Sequence, residues 1–523
     1  MGIYLNPNNI DFWQALNSKI YIDKTMLIEY ANSVIQTEQK LICVSRPRRF
    51  GKSIAANMLA AYYSRGCDSK EMFCNLNIAA SNSFEKHLNQ YHVIRLDIQK
   101  FANRADTVYD MLKLLQKRVI DELEQAFDFL SGETDLSFAL EKIFDVVHQP
   151  FVFIIDEWDC ILRDKKNTED AQKEYLDFLC NLFKGQSYIA LAYMTGILPI
   201  KKYGKHSAIN SFYEYSMTCA EPISEFTGFT EYEVKLLCAE QNLSFEEMKC
   251  WYDGYYMNGI SIYNPKSVVE AVFRRQFHNY WTSTETYEAL KVYIEMNFDS
   301  LRDKIIQLIA GERVKINTEK FQNDMTTLKS ADDILTLLVH LGYLTYDFNT
   351  KTVWIPNSEV KQEFINSIED GGWEEVMKSI EISDELLLAT LDCNEKRVAE
   401  LIDMAHSANT SILKYNDENS LACVISLAYY SAQKNYTIDR ELPAGKGFAD
   451  LVFRPRKNTD LPAILVELKY DKSAKSAIEQ MKERQYADCL KDYSGKILLV
   501  GINYEKDAKQ KQHSCKIEKI YKR

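Results

Sequence analysis

The sequence predicts an α/β protein with a mostly parallel N-terminal sheet, a helical connector, and a smaller α/β domain at the C-terminus. From about residue 20 to 220, short apolar runs of strand character alternate with helical stretches, as in parallel sheets covered by helices. Between about 225 and 400, apolar residues recur three and four positions apart, which is the spacing of a helix face. From about 405 onward the pattern predicts a helix, three strands, a helix and a strand.

The length of the chain predicts several domains, because 523 residues exceed what one hydrophobic core usually supports. We place the domains at residues 1–224, 225–404 and 405–523. No linker rich in Gly, Ser or Pro separates them, so these boundaries are soft.

The composition is that of a globular protein, with 46% hydrophobic and 26% charged residues. The twelve cysteines form no CxxC pair, and we expect reduced thiols and a cytoplasmic location. The apolar runs are shorter than the roughly 20 residues that span a bilayer, which excludes a membrane protein. Oligomeric state is left open.

The net charge of −12 excludes a generally basic nucleic-acid-binding surface. Contact with a polynucleotide would need a local basic patch. The tail KDAKQKQHSCKIEKIYKR has such a local excess, although a solvated charged surface is the simpler interpretation.

Residues 41–59, LICVSRPRRFGKSIAANML, place a strand before a turn with Gly51-Lys52-Ser53 and then a helix-forming segment. This order is that of a P-loop. Backbone amides and a helix N-terminus would face phosphates, the Lys52 charge would meet the β/γ oxygens, and the Ser53 hydroxyl would bind Mg²⁺. The alternative is an ordinary strand-to-helix turn.

Arg46 occupies the position where the GxxxxGK[ST] pattern has its first glycine. A residue with a Cβ resists positive φ, so we expect the loop to curve differently. Arg46, Arg48 and Arg49 add positive charge where a triphosphate would lie, or pair with nearby carboxylates.

A second motif, FVFIIDEWD, predicts a strand that ends at Asp156 and Glu157. Asp156 would hold the water shell of Mg²⁺, and Glu157 would orient or deprotonate the attacking water. The alternative is a helix N-cap with a solvated neighbour. The next predicted strand ends at Thr195, either a γ-phosphate sensor or a structural hydroxyl.

The segments YIDKTMLIEYA, SRPRRFGKSIAANML, IIDEWD, MTGILPI, FTGFTEYEV and WYDGYYMNGISIYNPKSVVEAV resemble the bacterial AAA-ATPase-like family over roughly residues 3 to 285. The resemblance implies an ATP-binding P-loop fold, with Tyr21, Asp23 and Lys24 near the nucleotide. The chain departs from the family in DEWD for DEYD and after Thr195-Gly196. The predicted nucleotide contacts are Arg46, Arg48, Arg49, Phe50, Gly51, Lys52, Ser53, Ile54, Asp156 and Thr195.

In the C-terminal zone, FADLVFRPRKNTDLPAILVELKY places Asp450 and Glu467 on two successive strands. Their midpoint falls at residues 458 and 459, so a hairpin without a bulge sets them nearly opposite each other. Lys469 is two positions after Glu467 and shares its face of the strand. The pattern predicts two carboxylates and an ammonium group on one patch.

Clustered carboxylates repel one another unless a cation lies between them, and oxygen ligands favour Mg²⁺ or Mn²⁺. Lys469 would then position or activate water for attack on a phosphodiester. The alternative is that Asp450 ends a strand while Glu467 and Lys469 form a surface pair.

The order of elements from about residue 410 to 505 is similar to the PD-(D/E)XK nuclease superfamily, in the form found behind AAA-ATPase-like modules. The resemblance implies that Glu418 completes the metal site with Asp450 and Glu467. It also aligns Gln480 and Tyr486 with the family's following helix. Gln480 would touch substrate or metal, and Tyr486 would lie in the core.

Together these sites predict an ATP-binding, ATP-hydrolysing protein with a metal-dependent nuclease domain acting on nucleic acid. One alternative is an ATP-switched module that holds nucleic acid or protein without cutting it. Another is a signalling ATPase of the STAND type, with the C-terminal domain as effector. The joint presence of Asp450, Glu467 and Lys469 argues against the non-cutting alternative.

Overall fold

The structure is a computed structural model. It describes residues 2–164, 166–200, 211–257, 259–281, 286–296, 298, 300–322, 328–371, 373–409, 418–444, 447–456, 460–490, 493–505 and 512–522. The chain divides into two compact units: residues 1–286 with 315–362, and residues 287–314 with 363–523. The predicted division at 224 and 404 stays a prediction.

The first unit is built on a parallel sheet with the strand order β2-β3-β4-β1-β5. Its strands are β1 Leu41–Ser45, β2 His92–Asp97, β3 Phe151–Asp156, β4 Ile189–Gly196 and β5 Tyr213–Tyr215. This confirms the predicted fold class. The crevice at the carboxyl ends of β1, β3 and β4 is where open parallel sheets bind ligands.

Alternate residues along each strand point to opposite sides of the sheet, and the residues on both sides are buried. Cys43, Phe153 and Met194 pack into one hydrophobic cluster. Their neighbours Val44 and Ile154 pack into another cluster with the helix that follows β1. The continuous apolar runs that predicted these strands are thus the signature of a sheet covered on two sides.

Helices cover the sheet on both faces. They are α1 Ile10–Leu16, α2 Met26–Val34, α3 Lys52–Tyr63, α4 Lys70–Phe73, α5 Phe84–His87, α6 Ile98–Ala102, α7 Val108–Ala126, α8 Leu136–Val147, α9 Cys160–Arg163 and α10 Glu169–Phe183, with a 3-10 turn at Asn77–Ala80. Side chains at the N-caps of α7, α8 and α10 accept backbone amides, which satisfies otherwise unbonded N–H groups.

The region predicted as a helical connector is mainly helical but also contains short strands. Its first part comprises a 3-10 turn Ser224–Phe226, β6 Phe229–Thr230, α11 Glu231–Gln241, α12 Phe245–Tyr252, β7 Tyr255–Met257, β8 Ile260–Tyr263, α13 Pro265–Arg274, α14 Thr286–Ile294, α15 Leu301–Ile309 and β9 Val314–Lys315. It continues with α16 Ala331–Leu341, β10 Thr345–Asp347, β11 Thr352–Trp354, α17 Ser358–Asp370, α18 Glu374–Glu381, α19 Ser383–Leu391 and α20 Glu395–Asn409. The strands have two to four residues, too few for a period of two to be visible in the sequence.

The second unit carries a mixed sheet with the order β12-β13-β14-β15-β16. Its elements are α21 Glu418–Ala428, a 3-10 turn Tyr430–Lys434, β12 Tyr436–Ala444, β13 Gly447–Pro455, β14 Ala463–Tyr470, α22 Ala474–Glu483, a 3-10 turn Tyr486–Cys489, β15 Gly495–Glu505 and β16 Gln512–Lys522. β14 and β15 are parallel, and the other pairs are antiparallel. The predicted helix, three strands, helix and strand are all present.

Strand β16 was not predicted. Residues 512–522 of the basic tail pair with β15 along its length, from Gln512 opposite Glu505 to Lys522 opposite Gly495. Lys516 lies 3.0 Å from Glu395. Some of the charged residues of the tail therefore lie on a strand at the edge of the sheet. Across the part of the chain that the structure describes, no helix is long and apolar enough to cross a membrane.

Candidate functional site

The loop between β1 and α3 places a lysine at the start of the helix, as the sequence predicted. The left-handed backbone falls at Arg49 (φ 71°) and Gly51 (φ 84°), whereas Arg46 has no positive φ. Gly51 has no Cβ to strain in this conformation, and no atom lies within 4 Å of where one would be. The sharp turn of the loop therefore lies at its C-terminal end, next to Lys52.

The Lys52 ammonium group is buried inside its own loop. Nζ donates to the carbonyl oxygens of Arg46 at 3.0 Å and Pro47 at 2.9 Å. Burial lowers the pKa of Lys52, while Glu157 and Asp156 act in the opposite direction. Its charge is therefore directed at the concave side of the loop.

Arg46 does not face the cavity as predicted from its charge. Its guanidinium is fully buried, and donates to Thr227 Oγ1 at 2.9 Å and to the carbonyl oxygens of Ser45 (2.9 Å) and Tyr215 (2.7 Å). Burial lowers the pKa of Arg46 to about 10, so it stays charged at neutral pH. We therefore leave Arg46 out of the proposed phosphate contacts.

The other loop residues divide between cavity and packing. Arg48 and Arg49 line the cavity, and Arg49 Nη1 also donates to the carbonyl oxygen of Tyr280 at 2.8 Å. Phe50 is fully buried and its ring lies edge-on to Tyr255, with centroids 5.0 Å apart. Phe50 thus anchors the loop as well as bordering the cavity.

At the ends of β3 and β4, two donors meet at one carboxylate oxygen. The Thr195 hydroxyl donates to Oδ1 of Asp156, and the Glu157 amide donates to the same oxygen at 3.1 Å. Glu157 has a left-handed backbone (φ 53°), which turns its side chain out of the strand direction. Burial raises the pKa of Glu157, and Lys52 and then Arg163 oppose that shift.

Two residues of this site were missed by the sequence reasoning. Arg163 Nη2 donates to Glu157 Oε2, and Arg163 Nε donates to Asp159 Oδ2 at 3.0 Å. Asp159 also accepts the backbone amides of Ile197 at 3.0 Å and Leu198 at 2.7 Å. Asp159 is the last residue of the DEWD motif, and its spacing of four from Arg163 favours an ion pair on a helix.

Several of these side chains line one cavity of about 930 Å³, whereas Arg46, Asp159 and Thr195 are not among its lining residues. Its polar end holds Lys52, Ser53, Asp156, Glu157 and Arg163, and Ile54 also lines it. Its apolar lining includes Ile20, Tyr21, Ile22, Met58, Phe226, Phe229, Val269 and Phe273. A cavity that has both a charged cluster and apolar and aromatic lining fits a ligand that joins an anion to an aromatic ring.

Of the family's N-terminal motif, Tyr21 and Lys24 line the cavity. Lys24 Nζ donates to both carboxylate oxygens of Glu233 at 2.7 Å and to the carbonyl oxygen of Glu225 at 2.7 Å. Asp23 accepts Thr25 and Asn77 amides at 2.8 and 2.7 Å. Asp23 thus orders the segment that carries the other two.

In the second unit, Asp450 and Glu467 lie where the spacing predicted. β13 pairs with β14 from Phe453 opposite Ile464 to Leu451 opposite Val466. Extending this register by one residue sets Asp450 opposite Glu467. Oδ2 of Asp450 accepts the Leu468 amide at 2.6 Å. The midpoint between Asp450 and Glu467 falls in the segment KNTD at 457–460, of which 457–459 are outside the described residues.

Glu467 is the centre of a buried polar group. Lys469 Nζ donates to Glu467 Oε1 at 2.6 Å, and Gln480 Nε2 donates to the same oxygen. Gln480 is also 3.1 Å from the Tyr486 hydroxyl. Tyr486 is fully buried in the core beneath α22. The strand face thus brings together the residues expected from the D…ExK pattern and the helix.

The predicted third carboxylate, Glu418, begins α21, but its side chain lies outside what the structure describes. Among the described side chains, no group of three or more His, Cys, Asp or Glu residues is placed to hold a metal ion. Asp450 and Glu467 offer oxygen donors, the chemistry that Mg²⁺ and Mn²⁺ prefer. The donor set therefore fits such an ion and is short of ligands without a third group or water.

Comparison with known families supports both halves of this description. Residues 11–204 match the family model described as predicted AAA-ATPase, and residues 416–514 match that of the PD-(D/E)XK nuclease superfamily. Both resemblances inferred from the motifs are thereby confirmed over those residues, while the motifs between residues 205 and 285 lie outside the match.

A curated relative is "Uncharacterized protein in vnfD 5'region" of Azotobacter chroococcum mcd 1. It is 24% identical over 279 residues, which are 51% of this chain and 51% of the relative. The chain thus spans about half the length of the curated relative it matches.

Two solved structures are similar at low identity. The ORC2 protein of Aeropyrum pernix in ADPNP-ADP complexes is 12% identical with a TM-score of 0.32, covering 68% of this chain and 98% of that one. AMPPCP-bound DnaA from Aquifex aeolicus is 9% identical with a TM-score of 0.26, covering 68% and 91%.

Proposed function

We propose that this chain, which joins an AAA-ATPase-like domain to a PD-(D/E)XK nuclease-like domain, binds and hydrolyses ATP at the β1–α3 loop and cleaves phosphodiesters at its C-terminal site. The observation that supports the first activity best is the placement of Lys52, Asp156 and Glu157 around one cavity. A cation, a metal-binding carboxylate and a general base are the three groups that phosphoryl transfer to water requires.

The phosphate end of the site is formed by the loop and the first turn of α3. Lys52 would neutralise the β and γ oxygens, and the amides at the start of the twelve-residue helix α3 would donate to them. Ser53 and Asp156 would hold Mg²⁺, which supplies Lewis-acid neutralisation of phosphate charge. Thr195 holds Asp156 in the orientation this requires.

Glu157 would accept the proton of the attacking water. Burial raises its pKa, which makes it a better proton acceptor than an exposed carboxylate, while the charges of Lys52 and Arg163 act to lower the pKa. Glu157 has a left-handed backbone, and its side chain lines the cavity. The position of Glu157 directly after Asp156 sets base and metal ligand side by side.

The apolar lining would hold the base and ribose. Tyr21, Phe229 and Phe273 offer aromatic surface, and Val269 offers aliphatic surface. A planar base stacks on such groups while its charged phosphates lie at the polar end. This division supports a nucleoside triphosphate over inorganic phosphate as the ligand.

Calorimetry with ATP, ADP and pyrophosphate tests the ATP assignment directly. We expect saturable ATP binding that needs Mg²⁺, weaker pyrophosphate binding, and slow release of phosphate. Absence of nucleotide binding by folded wild-type protein would refute the assignment. Phe273→Ala should weaken ATP without changing pyrophosphate, whereas Lys52→Ala should weaken both.

For the C-terminal site, the proposal rests on the cross-strand position of Asp450 and Glu467 and on the contact of Lys469 with Glu467. The two carboxylates would hold a divalent ion, which stabilises charge developing on a phosphodiester. Lys469 would position water or neutralise the anion. The acidic chain as a whole requires nucleic acid to approach through locally basic surface.

Labelled DNA and RNA, single- and double-stranded, should be incubated with Mg²⁺ or Mn²⁺, with and without ATP. We expect cleavage that needs the metal and changes with ATP if the first domain controls access to the second. Binding without cleavage under every condition would favour the non-cutting alternative instead.

A further inference from the structure

The cavity contains an arginine that no sequence motif marks. Arg163 ends α9 and lines the same cavity as Lys52, Ser53 and Glu157. Its side chain is 12% exposed, so the guanidinium is shielded but still reaches solvent. A cation in this place bears on the phosphate chemistry proposed above.

Arg163 is held rigidly from behind. Nε donates to Asp159 Oδ2, and that same oxygen accepts the amides of Ile197 and Leu198 beyond the end of β4. The Asp159 side chain has no solvent exposure. Since a buried ion pair with further hydrogen bonds resists rearrangement, the guanidinium plane is fixed relative to β3 and β4.

The planar geometry of the guanidinium group determines which of its N–H donors remain available to a ligand. Nε is used by Asp159 and one Nη2 hydrogen by Glu157. Nη1 donates to none of the residues that the structure describes, and it is not sealed off from solvent. An arginine has five N–H donors, so three remain for an anion in the cavity, two on Nη1 and one on Nη2.

We propose that Arg163 is a catalytic residue of the proposed ATPase, contacting the γ-phosphate from within the same chain. This inference rests on the proposed function and deepens it. Many P-loop enzymes receive such an arginine from a partner, and here the fold supplies one in cis.

In the step, a water oxygen bonds to the γ-phosphorus while the bond from phosphorus to the β–γ bridging oxygen breaks. The water proton passes to Glu157, and ADP leaves with the bonding electron pair. Negative charge grows on the bridging oxygen and is spread over the γ-phosphoryl oxygens. The Nη1 and Nη2 hydrogens of Arg163 would neutralise this negative charge. The contact with Glu157 would hold the general base next to the cation.

The first arm of the test measures binding, so it does not depend on turnover. Dissociation constants for ATP and ADP are compared in Glu157→Gln and in Glu157→Gln/Arg163→Ala. We expect ATP to bind about tenfold or more weakly after loss of Arg163, with ADP changed by less than about twofold. Equal loss for both nucleotides, or none, would mean that Arg163 only positions Glu157, and would overturn the proposal.

The second arm asks whether the arginine acts within its own chain. Arg163→Ala keeps an intact loop, and Lys52→Ala keeps an intact Arg163, so a trans arginine would restore hydrolysis when the two are mixed. We expect the mixture to show only the sum of the separate rates, and wild-type rate per molecule to be independent of protein concentration. Recovery of activity on mixing would assign the arginine to a partner.

Controls separate this inference from the function on which it rests. Arg118→Ala, at an exposed position on α7, should leave binding and rate unchanged. Arg163→Lys keeps the charge but loses the fork and serves if Arg163→Ala does not fold; a wild-type rate in that variant would also overturn the proposal. Wild-type protein that binds no nucleotide refutes the proposed function itself, whereas binding and hydrolysis that survive loss of Arg163 refute only its role.

Discussion

Thr195 at the end of β4 donates its hydroxyl hydrogen to the carboxylate of Asp156 at the end of β3. The contact joins two neighbouring parallel strands at their carboxyl edge, where the cavity opens. The contact favours a structural role for Thr195, one of the two interpretations that the sequence left open. A residue that orients a metal ligand affects metal binding without touching the nucleotide.

Thr195→Val should therefore raise the Mg²⁺ concentration needed for ATP binding, because Asp156 loses the donor that fixes its rotamer. Titration of Mg²⁺ at constant ATP measures the shift, which we expect to be about tenfold. Thr195→Ser keeps the hydroxyl and is the matched control. A mutant with an unchanged Mg²⁺ requirement would show that Asp156 needs no such support.

Lys52→Ala should abolish ATP hydrolysis and weaken nucleotide binding, since it removes the charge facing the β and γ phosphates. The loop itself loses two hydrogen bonds to the carbonyl oxygens of Arg46 and Pro47, so we also expect a loss of about 1–2 kcal/mol in the free energy of unfolding. Calorimetry and denaturant melts measure the two effects. Lys70→Ala, an exposed lysine paired with Glu85, should change neither.

Glu359 predicts a pH dependence of stability. It is fully buried, accepts Ser267 Oγ at 2.9 Å and the Tyr280 amide at 2.6 Å, and burial raises its pKa to about 7. The unfolded chain ionises this group near its ordinary pKa of 4.5, so between pH 4.5 and 7 the folded state binds the extra proton. Stability from this group is therefore present at low pH and falls as pH rises, by roughly 1 kcal/mol per pH unit.

Glu359→Gln should flatten that slope, because glutamine keeps an acceptor oxygen and does not titrate. The comparison is the difference in free energy of unfolding between variant and wild type at pH 5, 6 and 7. A difference that is constant over this range would show that Glu359 has an ordinary pKa in the folded protein.

At the C-terminal site, Asp450→Asn should remove metal-dependent cleavage while the domain stays folded. The asparagine oxygen can still accept the Leu468 amide, whereas the charge that attracts the metal is gone. Asp450→Ala, by contrast, also loses that hydrogen bond and should cost about 1 kcal/mol. Cleavage at the wild-type rate by a folded Asp450→Asn protein would eliminate the nuclease assignment at this residue.

The fold was predictable where the signal is local. β1 and β3 begin and end where their apolar runs do, because strands buried on both faces need uninterrupted hydrophobic residues. Asp450 and Glu467 were placed opposite each other by counting through a hairpin, since strand register follows from spacing. Strand β16 was not predicted because it lies at the edge of the sheet and charged residues interrupt its apolar ones.

The parts of the site that sequence reasoning missed depend on distant partners. Arg46 reads as one more phosphate-facing cation until Thr227 and Tyr215 are brought beside it from much later in the chain. Arg163 follows no motif, and its orientation depends on Asp159 and on the loop after β4. Side-chain direction set by long-range contacts cannot be read from spacing.

Arg46 has a consequence for how this loop can be exchanged between proteins. Restoring the glycine of the common pattern by Arg46→Gly would empty a socket whose lining is the Thr227 hydroxyl and the carbonyl oxygens of Ser45 and Tyr215. Three buried acceptors would lose their donor at once, a penalty larger than any gain in loop freedom. A graft of RPRRFGKS onto another strand would fail for the same reason. The loop must therefore be transferred together with the residues that surround the Arg46 guanidinium.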